Sequence, residues 1–297
     1  MTEPATDNAF DLSKRGGRAR RFRGVPLRLL IPNLVTLLAL CLGLTAIRFA
    51  FEDEIEWAVI AIAAAAVLDG LDGRIARALK GTSRFGAELD SLADFVDFGV
   101  APAIVLYVFG LHEMKSLGWF AALIFAIACA LRLARFNVMI DDPDQPAWRG
   151  YFFVGMPAPA GAVTGLLPVF LHLSLFNVPN IRALAPFEIA YVLVIAFLMA
   201  SQIPHFSGKS IGRVPREYVA VVLFGLAAGV LLLANFPMEM LIALSLAYLA
   251  SIPFAFRRFQ ELLLIFSQAL RFPELDDGGD FFLRDKGSMQ AVHTRRT

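Results

Sequence analysis

The chain has 297 residues, of which 58% are apolar and only 18% charged, with a formal net charge of +1. A soluble domain carries about 25% charged residues, so the composition excludes an ordinary water-soluble globule and, for most of the chain, intrinsic disorder. The two cysteines, Cys41 and Cys129, both sit in apolar runs, which excludes a disulfide framework and a cysteine-based metal site.

Residues 14–28 hold seven basic residues and no acidic one. They read either as a topology signal or as a strip lying on an anionic leaflet, with Phe22, Val25 and Leu27 dipping inward. No cleavable signal peptide is expected, because the apolar run that follows is too long for one. Eight candidate spans come next, at about 30–50, 57–78, 87–109, 117–137, 158–176, 186–204, 217–235 and 237–256. Lipid offers no partner for backbone N–H and C=O groups, so these segments should be helices. Strand-type alternation is missing: residues 61–68 are apolar at every position. The expectation is an all-α polytopic membrane helix bundle of about eight transmembrane helices. It divides into a basic N-terminal tail (1–29), a membrane-embedded catalytic domain (30–257) and a C-terminal tail (258–297), of which 271–297 read as solvated. With the N-terminus in the cytoplasm, all of the 27 basic residues except Arg48, Lys115 and Arg182 fall on the cytoplasmic side. The positive-inside rule therefore predicts a protein of the cell membrane with both termini cytoplasmic.

Ionisable residues inside membrane helices cost about 2.5–3.5 kcal/mol each on insertion scales. Here they concentrate between Asp69 and Asp97. The second span ends with Asp69 and Asp72, three apart and therefore on one helix face. The third begins with Gly86, Asp90, Asp94 and Asp97, again one stripe. The connection over residues 79–85 is short, so the two helices form an antiparallel hairpin in which the acidic stripes meet at the cytoplasmic face. Divalent cations relieve the repulsion, and an all-oxygen set with no histidine points to Mg²⁺ or Mn²⁺. Such a site with open positions suits phosphoryl transfer. Gly73 and Gly86 remove side chains where a bulky ligand must approach, and Arg77 is placed to clamp a phosphate. The competing arrangement is an ion-pair network of these carboxylates with Arg74, Arg77 and Arg84. Asp97 reads as a supporting residue or as one facing a wet cleft.

The pattern Asp69-x2-Asp72-Gly73-x2-Ala76-Arg77-x8-Gly86-x3-Asp90-x3-Asp94 resembles the signature of the CDP-alcohol phosphotransferase family at all eight positions. The resemblance implies a site of two divalent ions at the cytoplasmic interface. It also implies transfer of a substituted phosphoryl group from a CDP-linked donor to an alcohol, with release of CMP. Under it, Asp69, Asp72 and Asp90 hold metal. Asp94 is the general base and touches metal as well, while Asn33, Gly73, Ala76, Arg77 and Gly86 bind the CDP-lipid.

Looser patterns resemble the phosphatidylserine synthase subgroup. They are Ile31-Pro32-Asn33-Leu34-Val35-Thr36, the run from Asp90 to Ala103, Arg132-Leu133-Ala134-Arg135-Phe136-Asn137, Gly155–Ala160, and Ser201-x2-Pro204-x2-Ser207-x-Lys209. Asp97 departs from that subgroup's pattern. The implied substrates are CDP-diacylglycerol and L-serine in a setting of membrane lipids, with a homodimer as the implied assembly and no nucleic-acid partner. The serine carboxylate needs a cationic donor and its ammonium an acceptor. Arg132, Arg135, Asn137 and Lys209 fall at the level of the acid cluster and are the candidates for the acceptor site. The readings held beside this one are another acceptor (choline, glycerol 3-phosphate or an inositol phosphate) and, from a different class, a cation transporter with an acidic site.

Overall fold

A computed structural model describes residues 27–79, 81, 83–140, 152–176, 183–206, 216–271, 281–285 and 288–292. Residues 1–26 of the basic tail and the acceptor candidate Lys209 lie outside the described residues.

Each of the eight predicted spans contains helix. The first is α1, Leu27–Phe51. A tight turn with Asp53 at φ 65° reverses the chain into α2, Ile55–Ala78. Ser83 then caps α3, Arg84–Phe95, its hydroxyl accepting the Gly86 N–H at 3.0 Å. A π-helical turn, Val96–Val100, joins α3 to α4, Ala101–Phe109, so that Arg84–Phe109 is one continuous span of 26 residues. A 3₁₀ turn, Leu111–Met114, leads into α5, Ser116–Ile140.

The fifth predicted span is broken. It divides at Leu166 into α6, Ala158–Gly165, and α7, Leu167–Leu173. The cause is Pro168, which has no N–H for the helical ladder and fits only in the first turn of a new helix. Helix α8, Ala185–Ala200, α9, Val219–Asn235, and α10, Pro237–Arg271, complete the set.

Four of these segments are long and apolar enough by themselves to cross a membrane: Leu30–Phe51, Arg84–Phe109, Ser116–Met139 and Pro237–Glu261. Helices α8 and α9 are shorter apolar helices. With 24 residues, α2 has the length, but it carries Glu56, Asp69 and Asp72. A helix of n residues is about 1.5n Å long, so it reaches across a core of about 30 Å with its acids at one end. Helix α10 continues through residues 257 and 258, past the end expected for the membrane domain. The polar C-terminal stretch contains an antiparallel pair, β3 (Phe281–Asp285) with β4 (Ser288–Val292). A second ribbon pairs β1, Phe152–Val154, with β2, Pro204–Phe206.

The interior is built from small residues. Helices α1 and α2 pack along most of their length, burying Ala39, Ala46 and Ala50 of one and Ala58, Ala61 and Ala65 of the other. Small side chains let helix backbones approach where lipid supplies no hydrophobic drive to associate. Larger side chains, Phe98, Phe125, Phe170 and Met199, fill the centre of the same core. Outward, Leu34, Leu38 and Leu44 on α1, Phe120, Ile127 and Leu131 on α5, and Phe187 and Phe197 on α8 are exposed. Apolar surface on this scale is a lipid-facing surface. The result is a polytopic helical membrane protein.

Candidate active site

Helix α2 ends where α3 begins, and the two acidic stripes do meet. Ligand oxygens of Asp69, Asp72 and Asp90 all lie within 4.8 Å of one another. Asp72 is buried, and Asp69 and Asp90 are half-buried. Asp94, one turn beyond Asp90 on α3, is not in that group of three. Its carboxyl lies within hydrogen-bonding reach of Asp69. The four carboxylates thus form a set of three with a fourth offset toward Asp69.

The ion-pair alternative does not form. Among the described residues, the pairs within 4.0 Å are Arg48–Glu52, His112–Glu113 and Arg258–Glu261. No described arginine pairs with Asp69, Asp72, Asp90 or Asp94, and Arg74, Arg77 and Arg84 are exposed. The acids instead take other support. The buried Thr36 hydroxyl of α1 donates to Asp72 Oδ2 at 2.7 Å and so holds one carboxylate of the cluster. Oxygen donors gathered this closely, partly buried and with no ion-paired cation among the described residues, fit a hard divalent ion. The orphaned Oδ1 of buried Asp97, one turn deeper, fits the same conclusion: the region carries more negative charge than its own side chains balance. Contrary to the wet-cleft reading, Asp97 is 1% exposed.

The residues expected around a CDP-lipid divide into two settings. On α2, Gly73, Ala76 and Arg77 share a face, and the Arg77 guanidinium folds back over Gly73, 3.6 Å from where a Cβ would stand. That slot is open to a ligand. Gly86 is different. A Cβ there would come 2.8 Å from Asn33 Oδ1 and 3.1 Å from Ser83 Oγ. The space left by Gly86 is therefore taken by the α1 side chain and by the cap of α3, and Gly86 first serves to lock α1 against α3.

The acceptor candidates also separate. Arg132 of α5 is 8% exposed and lies 5.0 Å over the Phe136 ring. No hydrogen bond or ion pair engages its guanidinium among the described residues, and the charges acting on it include Asp94 and Asp69. Arg135 spends one nitrogen on the carbonyls of Ala200 and Ser201, at 2.8 and 3.0 Å, and so fastens the end of α8 to α5. Asn137 is exposed and exchanges hydrogen bonds with Ser91 at 2.9 and 3.3 Å, tying α5 to α3. Of these, Arg132 alone is a buried cation whose guanidinium is engaged by no hydrogen bond or ion pair among the described residues.

Two contributors were not singled out from the sequence. Thr36 appeared only inside a longer segment. Its signal was a hydroxyl three residues after Asn33, on the same face of an otherwise apolar helix. Tyr248 on α10 is within electrostatic range of Arg132, and nothing in its local sequence marks it.

Comparison with known proteins agrees with this geometry. A family model described as CDP-alcohol phosphatidyltransferase matches residues 29–199. The chain is similar to the CDP-diacylglycerol–serine O-phosphatidyltransferase of Mycobacterium tuberculosis, 44% identical over 243 residues, which are 81% of this chain and 82% of the relative. The Mycobacterium leprae protein of the same name is 45% identical over 240 residues, 80% of this chain and 78% of that one. The Helicobacter pylori one is 35% identical over 196 residues, 66% and 79% respectively. The match runs through α1 to α8 and includes every acid of the cluster, and the chain belongs to the CDP-alcohol phosphatidyltransferase family.

Proposed function

We propose that this protein transfers the phosphatidyl group of CDP-diacylglycerol to L-serine, giving phosphatidylserine and CMP. The observation that carries the reading is the set of three carboxylates within 4.8 Å of one another, with a fourth offset, at the meeting point of two membrane helices. The names of the relatives support serine as acceptor.

Asp69, Asp72 and Asp90 would hold divalent ions, Mg²⁺ or Mn²⁺, two in number. When bound, such ions neutralise the diphosphate and the charge growing on the leaving group. Arg77, folded over Gly73, reaches the same phosphates and stabilises the departing CMP. Asn33, Gly86 and Ala76 shape the edge of the donor slot. Asp94 takes the proton of the serine hydroxyl as its oxygen bonds to phosphorus and the bond from phosphorus to CMP breaks. Arg132, buried beside Phe136 and engaged by no ion pair among the described residues, receives the serine carboxylate. Arg135 and Asn137 hold α5 against α8 and α3, which keeps Arg132 within electrostatic range of Asp94. We assign the termini and this site to the cytoplasmic side on the distribution of basic residues. A reporter fused after Thr297 tests that orientation, and an external readout would overturn it. The protein acts as a homodimer by resemblance to its family, which cross-linking in native membranes tests: a monomer only would remove this point.

The test of function is CMP release from CDP-diacylglycerol with serine, choline and glycerol 3-phosphate offered in turn. Serine alone should support turnover. Equal or greater turnover with choline or glycerol 3-phosphate would replace serine as the acceptor. No CMP with any alcohol would overturn the transferase reading.

A further inference from the structure

Asp97 has no part in the reaction as drawn, yet it is the most unusual acid among the described residues. It occupies the second position of the π turn Val96–Val100, three residues beyond Asp94. Single π turns inside helices often mark functional sites. The side chain is 1% exposed, and its Oδ1 is the one buried side-chain nitrogen or oxygen among the described residues without a hydrogen-bond partner. No described Lys, Arg or His pairs with it. The charged group that acts on it is Asp69. On its other side lies Gly43 of α1, where a Cβ would collide with Asp97 Oδ1. The backbone of α1 thus lacks a side chain at the one place where the Asp97 carboxyl needs room.

A buried acceptor with nothing to accept from is a cost to the fold. An apolar residue would pack against Gly43 without that cost. The carboxylate repays it only when positive charge arrives nearby, and a charge in this poorly polarisable interior acts strongly over a few ångströms. Asp69 is where positive charge would be held. We propose that Asp97 is a positioning residue of the metal site, a fifth carboxylate behind Asp69 that tightens the grip of the cluster on divalent cations. The inference rests on the metal-binding reading of Asp69, Asp72 and Asp90. It assigns Asp97 neither substrate contact nor proton transfer.

The experiment uses the full chain purified in detergent, with Mn²⁺ alone as the probe. Free Mn²⁺ is read by electron paramagnetic resonance, and thermal unfolding is followed with and without the ion. Partners outside the ligand shell typically change metal affinity 10–100-fold, so Asp97→Asn should weaken Mn²⁺ binding about tenfold or more. The same variant should melt higher than the parent without metal, because an unmet charge is gone. It should gain less from added Mn²⁺. A residue that only packs would not move these two melting readouts in opposite directions. Asp97→Ser, smaller and uncharged, should behave alike. Asp72→Asn is the control for the underlying reading and should lose Mn²⁺ binding. If Asp72→Asn binds Mn²⁺ like the parent, the metal site itself is wrong. If Asp72→Asn loses the ion while Asp97→Asn keeps parental affinity, only the role of Asp97 falls. An Asp97→Asn protein that does not fold also refutes the proposal, which makes the bare carboxylate a burden.

Discussion

Replacing Asp94 with asparagine separates base from ligand. Asparagine has the same shape, and its amide can donate to Asp69, so the contact between the two side chains persists. The three carboxylates within 4.8 Å of one another are untouched. Metal and donor should therefore still bind, and the loss should fall on proton removal. A single general base contributes about 10²–10⁴-fold, which at about 1.36 kcal/mol per decade is about 2.7–5.4 kcal/mol of barrier. Asp90→Asn removes one of the three close ligands and should weaken donor binding and turnover together. The assay is CDP-diacylglycerol affinity and single-turnover CMP formation with both variants. Asp94→Asn should hold donor within a few-fold of the parent and form CMP 10²–10⁴-fold more slowly. If it binds donor poorly but turns over normally once saturated, Asp94 is a ligand, and the base lies elsewhere.

Arg132→Gln removes the buried cation while keeping a side chain that fits beside Phe136. The serine KM should rise by at least tenfold, the range of a lost charge-assisted hydrogen bond of about 1.5–3 kcal/mol, with CDP-diacylglycerol affinity unchanged; a normal serine KM would remove Arg132 from the acceptor site. Thr36→Val deletes the 2.7 Å hydrogen bond that orients Asp72 without changing the volume much. The concentration of Mg²⁺ needed for half-maximal activity should rise about 10–100-fold, and saturating Mg²⁺ should restore most of the rate; no change in the metal requirement would mean that the bond does not orient a ligand.

The acid cluster was legible because its physics is local. Asp69 and Asp72 share a face by their spacing, as do Asp90 and Asp94, and the short connection between α2 and α3 leaves only a hairpin. No tertiary information was needed to bring the stripes together. The eight helical segments were legible for the same reason, since lipid permits little else for apolar runs of that length. The break at Leu166 was equally local, with Pro168 visible in the sequence, but hydropathy averages over it.

The acceptor side is different in kind. Arg132, Arg135 and Asn137 lie within six residues of one another on one helix, all polar and all at the right depth. Only the packing of α8 against α5 tells that Arg135 is engaged by the carbonyls at Ala200 and Ser201. Only the position of Ser91 tells that Asn137 faces α3. Arg132 stands out because no hydrogen bond or ion pair engages its guanidinium among the described residues, and spacing along one helix carries no information about that. The same logic separates Gly73 from Gly86. Each is a glycine in a motif, but one faces an open slot under Arg77 and the other is filled by Asn33 from a helix about fifty residues earlier in the chain. Residue type and period fix which atoms can do chemistry, whereas long-range packing decides which remain free to do it. Thr36 shows the two acting together. It is a polar side chain on a lipid-spanning helix, and its partner is Asp72, 36 residues away. The first helix is thereby part of the site, although none of the four clustered carboxylates comes from it.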